Sequence, residues 1–161
     1  MQLMTSPSLL LVAALVAALA GCNSPRTPRA DAFQRVAREA NPILLTMKPA
    51  AAALLDAARL EESSTVIAAC HSADESLRLL REVRFDGEYI DTPYPMTRVS
   101  DYAARLLDDR KLMCNLEDST PDRVLRCTQW CWSTWRHLID EVERLRTAAS
   151  GHAVDMVSLR P

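Results

Sequence analysis

Apolar residues along the chain recur mostly at intervals of three and four, the spacing that places them on one face of an α-helix. No stretch shows the sustained alternation of a strand between turn residues. The pattern therefore predicts an all-α fold, a compact bundle of about four to five helices. The predicted helical segments are residues 31–40, 41–49, 50–60, 65–83, 97–113 and 121–150.

Prolines and polar residues indicate where these helices begin and end. The Asn41-Pro42 pair is typical of a helix start, and Pro49 predicts a kink or a restart. Residues 61–64 are either a polar break or an exposed turn within one long helix. The Ser119-Thr120-Pro121-Asp122 sequence combines an N-cap, a proline and an acid, so it predicts the start of the last helix, and Gly151 is expected to stop it.

The first 21 residues differ from the rest because they carry no charged side chain. Leu9 to Ala20 is an unbroken apolar run, too short to span a bilayer but suited to the core of a secretory signal. It ends in Leu19-Ala20-Gly21-Cys22, which closely resembles the lipobox of bacterial lipoproteins. The resemblance implies that residues 1–21 are removed and that Cys22 is lipidated as the first mature residue.

The same resemblance implies a location. Asn23 follows the lipidated cysteine in place of the Asp that retains such proteins in the inner membrane of enteric bacteria. We therefore expect an outer-membrane, periplasm-facing protein held to the membrane by its lipid. Residues 22–30 are expected to form a flexible tether, 31–150 the helical domain and 151–161 a loose C-terminal tail.

Composition narrows the function classes. The chain has 161 residues, a formal net charge of −2 and three glycines, which are Gly21, Gly87 and Gly151. Glycine-rich phosphate loops and nucleophile elbows cannot be built from so few glycines. No basic stripe of the kind that binds nucleic acid is present.

Four cysteines remain once Cys22 is assigned to lipid, and an even number in an exported chain predicts two disulfides with three possible connectivities. Cys127 and Cys131 lie one turn apart on a helix and rarely bond to each other in that arrangement. Cys114 and Cys127 flank the turn between two antiparallel helices. We therefore predict Cys114–Cys127 and, by elimination, Cys70–Cys131.

Two groups of residues are candidates for contacting a partner. One is the loop between the predicted helices 65–83 and 97–113, whose acidic and aromatic residues are typical of recognition surfaces, although an ordinary interhelical loop has the same appearance. These residues are Asp86, Glu88, Tyr89, Asp91 and Tyr94. The other is Trp132, which points away from the face of Trp135 and is either an exposed contact or the edge of a wide apolar face.

Metal sites receive little support from the sequence. The cysteines with His71 or His137 lack the ligand spacing of a zinc site, and the acidic loop lacks the glycine and terminal glutamate of an EF-hand. We expect no metal and no other cofactor.

These observations favour a non-enzymatic, lipid-anchored module that binds another envelope protein. Such a module could be an immunity protein or an inhibitor of a periplasm-acting toxin or hydrolase. The alternative is an accessory lipoprotein of a secretion or envelope assembly system, similar to the pilotins in size, anchor and helix content. An envelope-acting enzyme ranks lower, because no catalytic signature is present.

Overall fold

The computed structural model describes residues 28–56, 63–85, 95–113 and 120–161. Within these ranges the protein contains five α-helices and no strand, which confirms the all-α prediction. The helices are α1 (Pro28–Asp56), α2 (Ser63–Ser72), α3 (Asp74–Glu82), α4 (Pro95–Met113) and α5 (Pro121–Ser150).

Helix α1 begins at Pro28, inside the segment expected to be a tether, and continues through both prolines at which a restart or kink was expected. Pro42 and Pro49 lie on the exposed side of the helix. The carbonyl groups that lose their amide donors there, at residues 38 and 45, belong to exposed residues, so water can satisfy them. The opposite face is buried along its whole length, and this packing keeps the helix continuous. Its buried residues are Ala32, Phe33, Val36, Ala37, Ala40, Leu44, Met47, Ala50, Ala51 and Leu54.

The stripe predicted over 65–83 is helical but divided at Ala73, where α2 ends and α3 begins. The backbone stays hydrogen-bonded across the break, from Ala73 N to Ala69 O and from Leu77 N to Ala73 O. Val66, Ala69, Leu77 and Leu80 are all buried, as the spacing predicts.

Helices α4 and α5 pack antiparallel, since residues near the start of α4 contact residues in the second half of α5. The last helix begins at Pro121 with Thr120 as its N-cap, as predicted. Its buried face packs in the core of the bundle, where Trp135 is fully buried. The other members of that stripe are Cys131, Leu138, Val142 and Leu145.

Helix α5 ends at Ser150 with Gly151 just past it, as predicted, but Gly151 does not supply the left-handed turn. Gly151 keeps a helical backbone, with φ −62°, and the left-handed position is taken by Ala153, with φ 56°. Ala153 N donates to Ser150 O and Val154 N donates to Ala149 O, which is the hydrogen-bond pattern of a Schellman motif. The chain therefore reverses two residues later than the sequence suggested.

The segment after α5 is packed on the bundle and is not a loose tail. Val154, Met156 and Leu159 are buried. The Asn41 side chain on α1 donates to Asp155 O at 3.1 Å and accepts from Val157 N at 2.9 Å. The Asn41 amide bonds the carbonyl of Asp155 and the amide of Val157, as the backbone of a neighbouring strand would. One residue thus satisfies both backbone groups and fixes this segment against α1.

Candidate functional site

Most of the candidate functional residues predicted from the sequence lie outside the described residues. These are the lipidation site Cys22 and the loop residues Asp86, Glu88, Tyr89, Asp91 and Tyr94. The described residues just before the loop are held in the fold. Val83 is buried and its carbonyl accepts from Ser100 Oγ at 3.2 Å, while the Phe85 ring meets the Phe33 ring edge-to-face at 5.1 Å.

Trp132, the other candidate, is half-buried and packs against the core. The guanidinium of Arg136 lies over its ring, with Cζ 4.8 Å from the ring centroid. Its indole is therefore largely covered by the protein itself. The more exposed tryptophan is Trp130, whose side chain is 67% accessible.

Three cysteines lie close together between α2 and α5. The thiols of Cys70 and Cys131 share a hydrogen bond, with their sulfurs 3.8 Å apart, and Trp135 Nε1 donates to Cys70 Sγ at 3.2 Å. Both of these sulfurs are buried, whereas Cys127, one turn before Cys131, is half-buried. Cys70, Cys127 and Cys131 are all free thiols, so the described residues contain no disulfide. The predicted Cys70–Cys131 pair is thus adjacent but unbonded, and the Cys114 partner predicted for Cys127 lies outside the described residues.

The electrostatics of this cluster favour neutral groups. The hydrogen bond with Cys70 and burial raise the pKa of the Cys131 thiol. Burial also raises the pKa of the Asp109 carboxyl, although a hydrogen bond from Thr134 Oγ1 at 3.2 Å opposes this. A thiol with a raised pKa is a poor nucleophile, because the thiolate is the reactive form. The geometry therefore suits a structural role better than catalysis by Cys131.

A row of arginines and aromatic rings runs along the outer edge of the α4–α5 pair. We call it the α4–α5 seam and define it by Arg98, Tyr102 and Arg105 on α4 and by Trp130, His137 and Arg144 on α5. Spacings of three, four and seven residues place each set on one side of its helix.

Two parts of the seam are joined by short contacts. Glu141, whose side chain is only 8% exposed, accepts from Arg144 Nη1 at 2.9 Å and from Arg98 Nη1 at 3.5 Å. One turn away, the Tyr102 and His137 rings stack with centroids 5.5 Å apart, and Arg105 Cζ lies 5.3 Å from the Tyr102 centroid. These contacts orient the seam side chains while leaving Arg98 and Arg144 about half-exposed or more.

No protein-family model, curated protein or solved structure matches this chain. The function is therefore inferred from the chain's own residues. In the part of the chain that the structure describes, no helix is long and apolar enough to span a membrane. Nor do the described residues bring together three side chains that could hold a metal ion, so His71 and His137 do not join the cysteines in such a group.

One surface cavity, of about 600 Å³, does place two carboxylates near each other, on Asp140 and Glu143. Asp140 is bound by Arg160 at 2.6 Å. Partial burial favours the neutral form of Glu143, but hydrogen bonds from Ser158 and Arg146 outweigh it and lower the pKa of this carboxyl. General acid catalysis by a carboxyl requires the opposite shift, so this pair is suited to holding the C-terminal segment in place.

Proposed function

We propose that the protein is an outer-membrane-anchored periplasmic lipoprotein that acts as a non-enzymatic protein-binding module. The observation that carries the binding role is Trp130, a tryptophan 67% exposed on a surface that also presents arginine and tyrosine. Trp, Tyr and Arg are the residues that contribute most binding energy at protein interfaces.

The anchor comes from the lipobox ending at Cys22. Acyl chains on this cysteine add about 0.8 kcal/mol per buried methylene, so a multiply acylated protein stays at the membrane. Replacing Cys22 with Ser is expected to release the protein from the outer-membrane fraction into the periplasm. Unchanged membrane association of Cys22→Ser would contradict the lipoprotein assignment.

Within this role, the favoured activity is that of an immunity protein or inhibitor of a periplasm-acting toxin or hydrolase. The proposed contact with the target's active site is made by three acidic residues and two tyrosines of one segment. They are Asp86, Glu88, Tyr89, Asp91 and Tyr94. The packing of Val83 and Phe85 supports this, because a loop whose entry is fixed on the core loses less entropy on binding.

Affinity capture of the anchored protein from intact envelopes tests the proposal. A single toxin or hydrolase among the captured proteins supports the inhibitor role, and a secretion pore supports the pilotin-like alternative. If no specific partner is recovered from cells grown with or without competitors, a protein-binding function is contradicted. The envelope-acting enzyme is then the remaining hypothesis.

We further propose that Cys70 and Cys131 become a disulfide in the oxidising periplasm. The two thiols would lose two protons and two electrons to a protein disulfide, which is reduced to its dithiol as the S–S bond forms. Their adjacency, with sulfurs 3.8 Å apart across a sequence separation of 61, supports this pairing. A loop of this length stabilises the fold by about 4 kcal/mol in the chain-entropy model. Cys114–Cys127 remains the proposed second bond.

Peptide mapping without reduction tests the pairing in protein purified from the periplasm. A Cys70–Cys131 linked peptide is expected, together with a marked fall in thermal stability after reduction. Recovery of a Cys70–Cys114 peptide, or of four free thiols, would overturn the proposed pairing.

A further inference from the structure

We infer that Cys127 is the site at which an external disulfide reacts with the folded protein and from which oxidation passes to the buried Cys70–Cys131 pair. The external disulfide first forms a mixed disulfide with Cys127. This inference rests on the Cys70–Cys131 bond proposed above and adds the route by which the folded protein gains that bond.

The two buried thiols are shielded from solvent. Cys70 is 2% exposed and Cys131 is 0% exposed. Thiol–disulfide exchange requires one sulfur to attack another directly, so its rate depends on access to the thiol. The hydrogen bond with Cys70 and burial also raise the pKa of the Cys131 thiol, which leaves less of the reactive thiolate. An external disulfide therefore reacts poorly with either member of the pair while the fold is intact.

Cys127 differs from both because it is half-buried and packs against the edge of the core. It lies one turn before Cys131 on α5, so their Cα atoms are about 6 Å apart, within the roughly 4–7 Å that disulfides span. The Cβ atoms of such helical neighbours are about 5–6 Å apart, wider than the roughly 4 Å of a relaxed bridge. A Cys127–Cys131 bond is thus reachable but strained, and strain favours its exchange with a better-placed thiol.

Cys70 is that better-placed thiol. Its sulfur lies 3.8 Å from Cys131 Sγ. The Trp135 indole donates from Nε1 to Cys70 Sγ at 3.2 Å, and such a donor stabilises the thiolate, which is the attacking form. The pair is therefore arranged to receive a disulfide from Cys127.

The transfer takes three exchange steps, each of which forms one S–S bond and breaks one. Cys127 attacks the external disulfide and releases its first thiol. Cys131 attacks Cys127 Sγ of the mixed disulfide and releases the second thiol. Cys70 then attacks Cys131 Sγ, and Cys127 leaves as a free thiol. In each step the departing thiolate takes up the proton that the attacking thiol loses, so the pair loses two electrons and two protons to the external disulfide.

The experiment follows oxidation of the reduced, folded full-length protein by glutathione disulfide in neutral detergent. Every protein carries Cys114→Ser, which removes the proposed final partner of Cys127. Peptide maps without reduction, made after acid quenching, are expected to show glutathione on Cys127 first and the Cys70–Cys131 bond later. Cys127→Ser is expected to slow formation of that bond at least about tenfold, because the buried thiols then react only when the fold opens.

Ala148→Ser is the matched control, since it places a hydroxyl at another half-buried position of α5. Its rate is expected to equal that of the Cys114→Ser protein, and circular dichroism verifies that each variant is folded. A parallel arm uses an oxidised Cys-X-X-Cys oxidoreductase in place of glutathione disulfide. Both arms are expected to depend on Cys127, and the faster one identifies the kind of disulfide that the site accepts.

A second measurement keeps Cys127 in place. A brief pulse of iodoacetamide on the reduced, folded Cys114→Ser protein is expected to alkylate Cys127 before Cys70 or Cys131. The alkylated protein is then expected to form the Cys70–Cys131 bond as slowly as the Cys127→Ser variant does.

Equal oxidation rates with and without Cys127 would overturn the inference, and so would first addition of glutathione or iodoacetamide to Cys70 or Cys131. Failure of the proposed disulfide itself gives a different result. In that case the Cys70–Cys131 bond is also absent after the reduced, unfolded protein is refolded in glutathione disulfide. Formation of the bond on refolding but not in the folded protein would disprove only the role of Cys127.

Discussion

Trp130 shows what the sequence pattern could and could not predict about single residues. At about 100° per residue, Trp132 lies about 60° from the buried Trp135 and Trp130 about 140° from it, so the helical wheel already favours Trp130 as the exposed indole. Trp132 lies only one residue beyond Cys131, at the edge of the buried face, and is half-buried. Its cover by Arg136 could not be predicted, since it depends on how far a long side chain folds back over the ring.

The left-handed alanine at the end of α5 gives a prediction about stability. Replacing Ala153 with Gly is expected to raise the free energy of unfolding by about 1 kcal/mol, because glycine adopts positive φ without a Cβ clash. Gly151→Ala is expected to add about 0.5–1 kcal/mol, since Gly151 is helical and a new Cβ would meet Ala148 O at an ordinary 3.4 Å.

Denaturant unfolding of both variants checks this assignment. The two substitutions control for each other. If Gly151 instead supplied the left-handed position, both substitutions would be expected to lower the free energy of unfolding. Destabilisation by both substitutions would show that the helix ends at Gly151 and not in the Ala153 motif.

Asp109 gives a second prediction at the residue scale, which concerns pH. Its pKa is raised, mainly by burial, so the folded protein binds its proton more tightly than the unfolded chain does. The associated stability is present at low pH and is lost as pH rises through the raised pKa. Asp109→Asn keeps an acceptor for Thr134 but cannot ionise, so it is expected to raise the melting temperature at neutral pH and to have little effect in acid. An equal effect at both pH values would contradict this account.

At the scale of whole elements, apolar spacing predicted the helices well and Pro121 marked a true helix start, whereas Pro42 and Pro49 gave misleading boundaries. The burial of Leu44, Met47 and Ala51 outweighs the two backbone hydrogen bonds that Pro42 and Pro49 remove from α1. The apolar periodicity correctly predicted helix on either side of each proline. Whether the helix continues across the proline depends on what its buried face packs against. No local rule contains that information.

The C-terminal segment was missed for a related reason, and its attachment can be tested. Asn41→Ala is expected to lower the free energy of unfolding by about 1–2 kcal/mol, because Asp155 O and Val157 N lose their side-chain partner. Hydrogen exchange within residues 154–159 is expected to accelerate more than exchange in α4.

Asn41→Asp is the matched control, since it keeps the acceptor for Val157 N and loses only the donor to Asp155 O. Its effect is expected to lie between those of the native protein and Asn41→Ala. Unchanged exchange in the segment after Asn41→Ala would show that the buried Val154, Met156 and Leu159 hold it alone.

At the scale of the whole molecule, the anchor and the proposed binding surface belong to one account. In the proposed account, lipidation of Cys22 would fix the compartment, an oxidising compartment would favour a Cys70–Cys131 bond, and the surface around Trp130 would meet the partner. The sequence predicted the neighbourhood of Cys70 and Cys131 through helix spacing and elimination. It could not predict the seam, because that surface forms only when α4 and α5 pack side by side.

Site-specific photocrosslinking in intact envelopes tests the central claim most directly. A benzophenone amino acid is placed at position 130 and, as the control, at the exposed position 45 on α1. We predict one dominant protein adduct from position 130 that is absent from position 45. No adduct from position 130, or the same adducts from both positions, would contradict a protein-binding role for this surface.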